Sequence, residues 1–286
     1  MPRLLAVGHV TWDKVRGGEV LGGSAAYAAL AARRLGWEAA VLTSAGPDFV
    51  PERDLPGVAA FVRPASATTR FQNLYDAAGE RRQVLSSRSS DIDLALLPEE
   101  WRSPDALLLG PVAGELGAGV ATAFEAGVVG AQAQGWLRSF DPDGDVTPRE
   151  WTTAASDLAG AHVLFLSDKD MPEARARARD FLGTVPLVAL TRSWEGLTLL
   201  TRDGHFDVPT LPREEVDPTG AGDVFAAAFL LRYHETHDAL EAAAFGACAA
   251  SCVVEEVGAA GLGDRPEVER RLALRERLIE EGDWDE

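Results

Sequence analysis

Lysine is almost missing from this chain: Lys14 and Lys169 are the only two in 286 residues. No Gly-Lys-Ser/Thr run exists, which excludes a phosphate loop of the P-loop type. Basic residues as a whole are outnumbered, 27 Lys and Arg against 45 Asp and Glu, for a formal net charge of −18. That balance excludes a nucleic-acid partner, whose phosphate backbone would be repelled. It leaves room for a nucleotide, which arrives with a divalent metal and meets local helix ends. Cysteine is just as sparse. Cys248 and Cys252 stand one helical turn apart in an Ala-rich stretch and read as small core residues, not as a disulfide framework. No apolar run reaches membrane-spanning length, and the start at Met1-Pro2-Arg3 leads into a run too short for a signal peptide. The expectation is a cytoplasmic chain with no membrane partner. Internal repeats and low-complexity linkers are also missing.

What is present is 46% apolar residues, enough for a real core, in a length that fits one large α/β domain. Residues 214–230 organise the rest. Asp217-Pro218-Thr219-Gly220 is a breaker cluster, and good helix formers follow Asp223, with Phe225, Phe229 and Leu230 at helical spacing. A helix therefore starts at Gly220-Ala221-Gly222-Asp223. Its first amides lack intrahelical partners and sit at the positive end of the helix dipole, where bare glycine backbone admits an anion. A carboxylate beside such a site would repel the anion. The pairing makes sense if Asp223 takes a proton from a hydroxyl while the amides hold charge on a transferring phosphoryl group. The plainer reading, Asp223 as a helix cap, would serve for a lone Gly-x-Gly-Asp.

The longer run Asp-Pro-Thr-Gly-Ala-Gly-Asp at 217–223 closely resembles the signature of the ribokinase-like PfkB carbohydrate kinases. The resemblance implies Asp223 as catalytic base and the Gly220, Ala221 and Gly222 amides as an anion hole. It implies a monovalent-cation site, potassium being the candidate, near Asp217 and Thr219.

Toward the N-terminus, Leu4–Val10 reads as a buried strand, with His9, Thr11 and Asp13 at its carboxyl end, where open α/β sheets place ligands. Gly22-Gly23-Ser24 opens an Ala-rich helix that stops at Gly36. This N-terminal stretch resembles the family's substrate segment, so His9, Asp13, Gly22 and Gly23 are candidate substrate residues. Two β-rich runs around a turn at Ala78-Gly79-Glu80 form a lid hairpin over 67–86. Only eight residues separate Asp13 from Gly22, so 14–22 should add little and the lid should be reduced. Closure would then be partial, or completed by a second copy in a homodimer.

Ala106–Leu109 reads as a strand and Gly114–Ala126 as the helix after it; glycines 114, 117 and 119 are in the wrong order for a dinucleotide fingerprint. After a strand at 128–132, Gln134-Gly135-Trp136-Leu137-Arg138 resembles a Gln-Gly-x-x-Arg feature of short family members related to inositol kinases. Gln134 and Arg138 then face substrate or phosphate, or else are a loop amide and a surface arginine. Asp141–Asp145 reads as a turn. Ser167 and Asp170 stand where the family usually carries Asn-x-x-Glu, holding magnesium through water, and a charged helix follows through Leu182. Thr191–Gly196 resembles the Thr-x-Gly-x-x-Gly nucleotide turn, with Ser193 in place of the first glycine; Thr191, Ser193 and Gly196 are nucleotide candidates. Gly258, after an Ala-rich helix at 239–254, would line the adenine pocket in the family layout.

The expected architecture is a single domain over 1–286, α/β, a ribokinase-like three-layer α/β/α arrangement with a central mostly parallel sheet and a reduced β lid. The expected activity is ATP-dependent phosphorylation of a small sugar or cyclic polyol with magnesium, the inositol-like branch favoured. Nucleoside, ketohexose and 2-keto-3-deoxygluconate kinases remain open within the family. A non-catalytic sugar or nucleotide sensor with the same fold is the alternative of another class, motivated by Ser167, Asp170 and Ser193. A nicotinamide-dependent oxidoreductase ranks last.

Overall fold

The computed structural model describes residues 1–15, 17–75 and 81–281. The Ala78-Gly79-Glu80 turn and the residues from 282 onward lie outside them. A nine-stranded sheet runs in the order His205–Val208, Leu197–Leu200, Leu187–Thr191, Val163–Ser167, Val128–Gln132, Ala106–Leu109, Arg3–Val7, Glu38–Ala45, Ala59–Pro64. The pairings from Ala59–Pro64 across to Leu187–Thr191 are parallel; the last two strands join antiparallel at the edge.

The apolar runs that build these strands are buried on both faces, so they read as continuous rather than alternating. Leu4 and Ala6 enter one core while Leu5 and Val7 enter the other; Ala106 and Leu108 divide from Leu107 and Leu109 in the same way. The first core lies under the long helices Ser24–Arg34, Ala221–Thr236, Ala239–Val253 and Arg265–Glu281. Ala221–Thr236 is buried from Val224 through Leu231 because it is wedged between neighbouring helices and the sheet. Phe225 and Phe229 meet Phe165 edge-on at 5.8 and 5.5 Å, and each such ring contributes about 1.5–3 kcal/mol on burial.

The second core is covered by shorter pieces. The helix expected over Gly114–Ala126 is only a 3-10 turn, Val120–Ala123, because Gly114 and Gly119 take φ of 67° and 68°, which ends an α-helix. The charged stretch through Leu182 is likewise divided into Ala174–Arg177 and a 3-10 segment, Ala178–Gly183. Trp101, Trp136 and Trp151 fill the space that longer helices would otherwise take.

A separate four-stranded sheet runs in the order Gly18–Gly22, Thr11–Val15, Thr69–Tyr75, Arg81–Ser87. The stretch between Asp13 and Gly22 therefore gives more than the small contribution expected. Thr11–Val15 pairs antiparallel with Gly18–Gly22, and these two supply half of the strands of that sheet. A further small hairpin, Arg138–Phe140 with Val146–Pro148, carries the Asp141–Asp145 turn and touches the lid through the bridge from Asp145 to Val84.

Candidate active site

The strand order reverses at Arg3–Val7: the chain next builds outward through Glu38–Ala45, then returns to Ala106–Leu109 on the other side. Ligands of open α/β sheets sit outside the carboxyl ends of strands at such a switch point. A cleft of about 1210 Å³ opens there, lined among others by Asp13, Ser24, Gln132, Arg138, Asp170 and Asp223.

Two helices begin at this cleft. Gly220 holds φ 82° at the start of Ala221–Thr236, and a Cβ on it would run into the Tyr27 ring, so the position needs glycine twice over. Ala221 N donates to Pro218 O at 3.2 Å and Asp223 N to Gly220 O at 3.0 Å. Ala221 is thus an engaged member of the expected anion hole, and the amides of Gly220 and Gly222 are the ones without a backbone acceptor among the described residues. From the other helix start, Ser24 hydrogen-bonds the Asp223 carboxyl, and from the end of Val128–Gln132 the Gln132 Nε2 donates to Asp223 Oδ1 at 2.6 Å.

Asp223 lies at the cleft floor, half-buried, with one side facing the cavity. Burial pushes its carboxyl up to about 6, aided by the charge of Asp13 and opposed by the Ser24 and Gln132 hydrogen bonds and by Arg138. Tyr27 is driven further from ionisation by burial and by Asp217, Asp223 and Asp13, so its phenol stays neutral.

At the lid end, Asp13 Oδ1 accepts from Thr11 Oγ1 at 3.0 Å. Gly23 lines the cleft with φ 92°, whereas Gly22 is buried behind Asp13. Gln134 and Arg138 both face the cleft, and the Arg138 guanidinium rests 5.6 Å over the Phe71 ring of the lid. Lid residues Asn73 and Gln83 complete this wall with amide groups 3.3 Å apart.

His9 is not in the cleft. It is 0% exposed, with Nε2 2.7 Å from Ser90 O, Nδ1 2.9 Å from Thr69 Oγ1, and its backbone amide on Glu115 Oε1. Both ring nitrogens are used, so this histidine ties the lid base to the core and has nothing left for a substrate. Glu115, which the sequence did not single out, is buried and also accepts the amides of Val112 and Ala113, fixing the loop after Ala106–Leu109.

At the other end, Thr191, Ser193 and Gly196 line the cleft. Ser193 takes φ 56° despite its side chain, and Gly196 takes φ 87° against the carbonyl of Val208. Trp194 stands 80% exposed on the same turn. The lining there also includes Leu211, Ala247, Ala250, Ser251 and Val254, mostly apolar, of which all but Leu211 belong to the stretch that the sequence shows as an Ala-rich helix. Gly258 is outside the cleft lining; its amide donates to Asp217 Oδ2 at 3.1 Å while Thr219 N donates to Oδ1 at 3.0 Å. Asp217 is thus a clamp between the breaker turn and the loop at 258, and Thr219 lies on the cleft wall.

Ser167 and Asp170 line the cleft together, Ser167 N donating to Asp170 Oδ2 at 2.8 Å. Burial raises the Asp170 carboxyl, with Ser167 and Arg138 opposing. Asp168 pairs with Arg175 at 3.0 Å, leaving Asp170 as the carboxylate of that turn on the cleft wall. Among the described residues no group of three or more His, Cys, Asp or Glu could enclose a metal. A magnesium ion that stays on nucleotide phosphates needs only one or two protein carboxylates, and this arrangement fits it.

Residues 153–264 match the family model described as pfkB family carbohydrate kinase. An ATP-dependent ribose-1-phosphate kinase of Halopiger xanaduensis is 29% identical over 263 residues, 80% of this chain and 84% of that protein. A nucleoside kinase of Methanocaldococcus jannaschii is 30% identical over 127 residues; that match spans 43% of this chain and 42% of the relative's length. A pyrophosphate-dependent kinase in the ribokinase family, solved with a pyrophosphate analog and myo-inositol, superposes with a TM-score of 0.76 at 19% identity, covering 93% of this chain and 99% of that one. The last likeness establishes the fold.

Proposed function

Because this chain belongs to the ribokinase-like PfkB family of carbohydrate kinases, we propose that it transfers the γ-phosphoryl group of ATP to a hydroxyl of a small sugar or cyclic polyol. The observation that carries this is one cleft holding Asp223, the bare Gly220 and Gly222 amides, and Asp13. Asp13 and the Gly23 backbone hold the acceptor hydroxyls, with Gln134 and Arg138 beside them. Asp223 accepts the proton of the hydroxyl that attacks. As the new oxygen–phosphorus bond forms, the bond to the β-phosphate oxygen breaks and its electron pair leaves with ADP. The glycine amides at the helix start stabilise charge on the migrating group. Asp170 and Ser167 would hold a magnesium ion through water, and that ion would supply positive charge to offset the nucleotide phosphates. The Thr191–Gly196 turn and the wall of Leu211, Ala247, Ala250 and Val254 receive the rest of the donor. Any potassium dependence would act through the Asp217 clamp.

The acceptor end favours an inositol-like or sugar substrate: its polar groups are mostly amides and carboxylates suited to hydroxyls, with one cation, Arg138, among them. A coupled ADP-release assay tests the proposal, with inositols, ribose, ribose 1-phosphate, nucleosides and 2-keto-3-deoxygluconate as acceptors and ATP or pyrophosphate as donor. Turnover of a polyol or sugar with ATP is the expected result. Binding without turnover for the whole panel favours a sensor, and turnover with pyrophosphate alone removes ATP as donor.

A further inference from the structure

The mechanism above makes no use of Gln132, which ends the strand Val128–Gln132 and is 7% exposed on the cleft floor. Its Nε2 holds Asp223 Oδ1 at 2.6 Å, and its Oε1 is buried without a hydrogen-bond partner. The amide has to face this way, because an amide oxygen turned to an ionised carboxylate would meet it as acceptor to acceptor. Gly110 on the neighbouring strand end offers Oε1 no side chain; a Cβ there would stand 3.0 Å from it. Leaving a buried carbonyl unpaired is unfavourable, so packing alone does not account for glutamine at this position.

We propose that Gln132 is a positioning residue that hydrogen-bonds Asp223 in both of its protonation states, resting on the reading of Asp223 as the base. Before transfer, the amide NH2 donates to the carboxylate and fixes its orientation. Once Asp223 carries the acceptor's proton, a half-turn of the amide brings Oε1 to the new carboxylic O–H and pairs the orphaned carbonyl. An apolar side chain offers neither bond, and an ionised glutamate lacks the first. The other groups facing Asp223 are Asp13 from the lid strand, Arg138 beyond the 134–137 turn, and the Ser24 hydroxyl and neutral Tyr27 phenol from helix Ser24–Arg34. Gln132 carries no charge, so its influence on Asp223 runs through these two hydrogen bonds alone.

The test is a carbon-13 carboxyl NMR titration of the whole protein, with the Asp223 signal assigned by its loss in Asp223→Asn. Gln132→Met removes both bonds, of which the charge-assisted one to the carboxylate is the stronger, so the Asp223 midpoint should rise by about one pH unit. Gln132→Glu adds a like charge and should raise it further, which serves if the first variant folds poorly. In the rate assay, Gln132→Met should lose about fivefold at pH 6, recover above pH 8, and leave both KM values unchanged. An unmoved midpoint in both variants overturns the proposal, as does a rate loss that is the same at every pH. Should the wild type phosphorylate nothing, the kinase reading fails separately, and the titration still decides the coupling of Gln132 to Asp223.

Discussion

Gly220 and Ser193 both hold their backbone in the left-handed region, at φ 82° and 56°, and both lie on the wall of one cleft. At the first, the Tyr27 ring fills the place of any Cβ, so the position admits nothing but glycine. At the second the chain carries a serine and takes the same kind of conformation. Strain at a left-handed residue is tolerable where the surroundings hold it in place and leave room, and intolerable where a ring occupies that room. The Gly220 end of the cleft is therefore fixed by packing, and the Ser193 turn by backbone geometry.

Four substitutions or conditions sharpen this contrast. The largest effect belongs to Asp223→Asn, expected to lower kcat by about 10²–10⁴-fold while circular dichroism and thermal melting stay near wild type. Near-normal turnover would remove Asp223 as base. Gly220→Ala comes next: strain plus the Tyr27 contact should destabilise by about 1–3 kcal/mol in a denaturant titration, with kcat falling as the helix start shifts. A fully stable, active variant would show that the ring can move aside. Third, a base at Asp223 would work only when ionised, so kcat/KM should fall as the pH drops through about 6. A flat profile between pH 5 and pH 8 would contradict the burial that raises this carboxyl. The smallest effect is Ser193→Gly, where relief of left-handed strain outweighs added chain entropy and stability should rise by about 0.5–1 kcal/mol. A loss instead would mean that the serine side chain secures the turn.

The sequence made some parts legible because their signals are local. Breakers at 217–220 mark the helix start at 221, and continuous apolar runs mark strands buried on both faces. Those signals fail where the outcome depends on distant partners. The pattern over Gly114–Ala126 allowed a helix, but two glycines took positive φ. His9 sits at a strand end where ligands gather, and only its neighbours Ser90, Thr69 and Glu115 reveal that it is consumed inside the core. Gln132 touches Asp223 across 91 positions of chain, and no local pattern announces that pair. Gly258 follows the Ala-rich helix as the sequence indicates, but its amide turns to Asp217 instead of the cleft.

Asp13 belongs to Thr11–Val15, an inner strand of the four-stranded sheet, bonded on one side to Gly18–Gly22 and on the other to Thr69–Tyr75. The carboxylate that would grip the acceptor is thus mounted on the roof over the cleft, while Asp223 is mounted in the floor. Tilting that roof changes the span between grip and base at the same time as it changes shelter from solvent, so an acceptor of the wrong height would leave the chamber both ajar and misaligned.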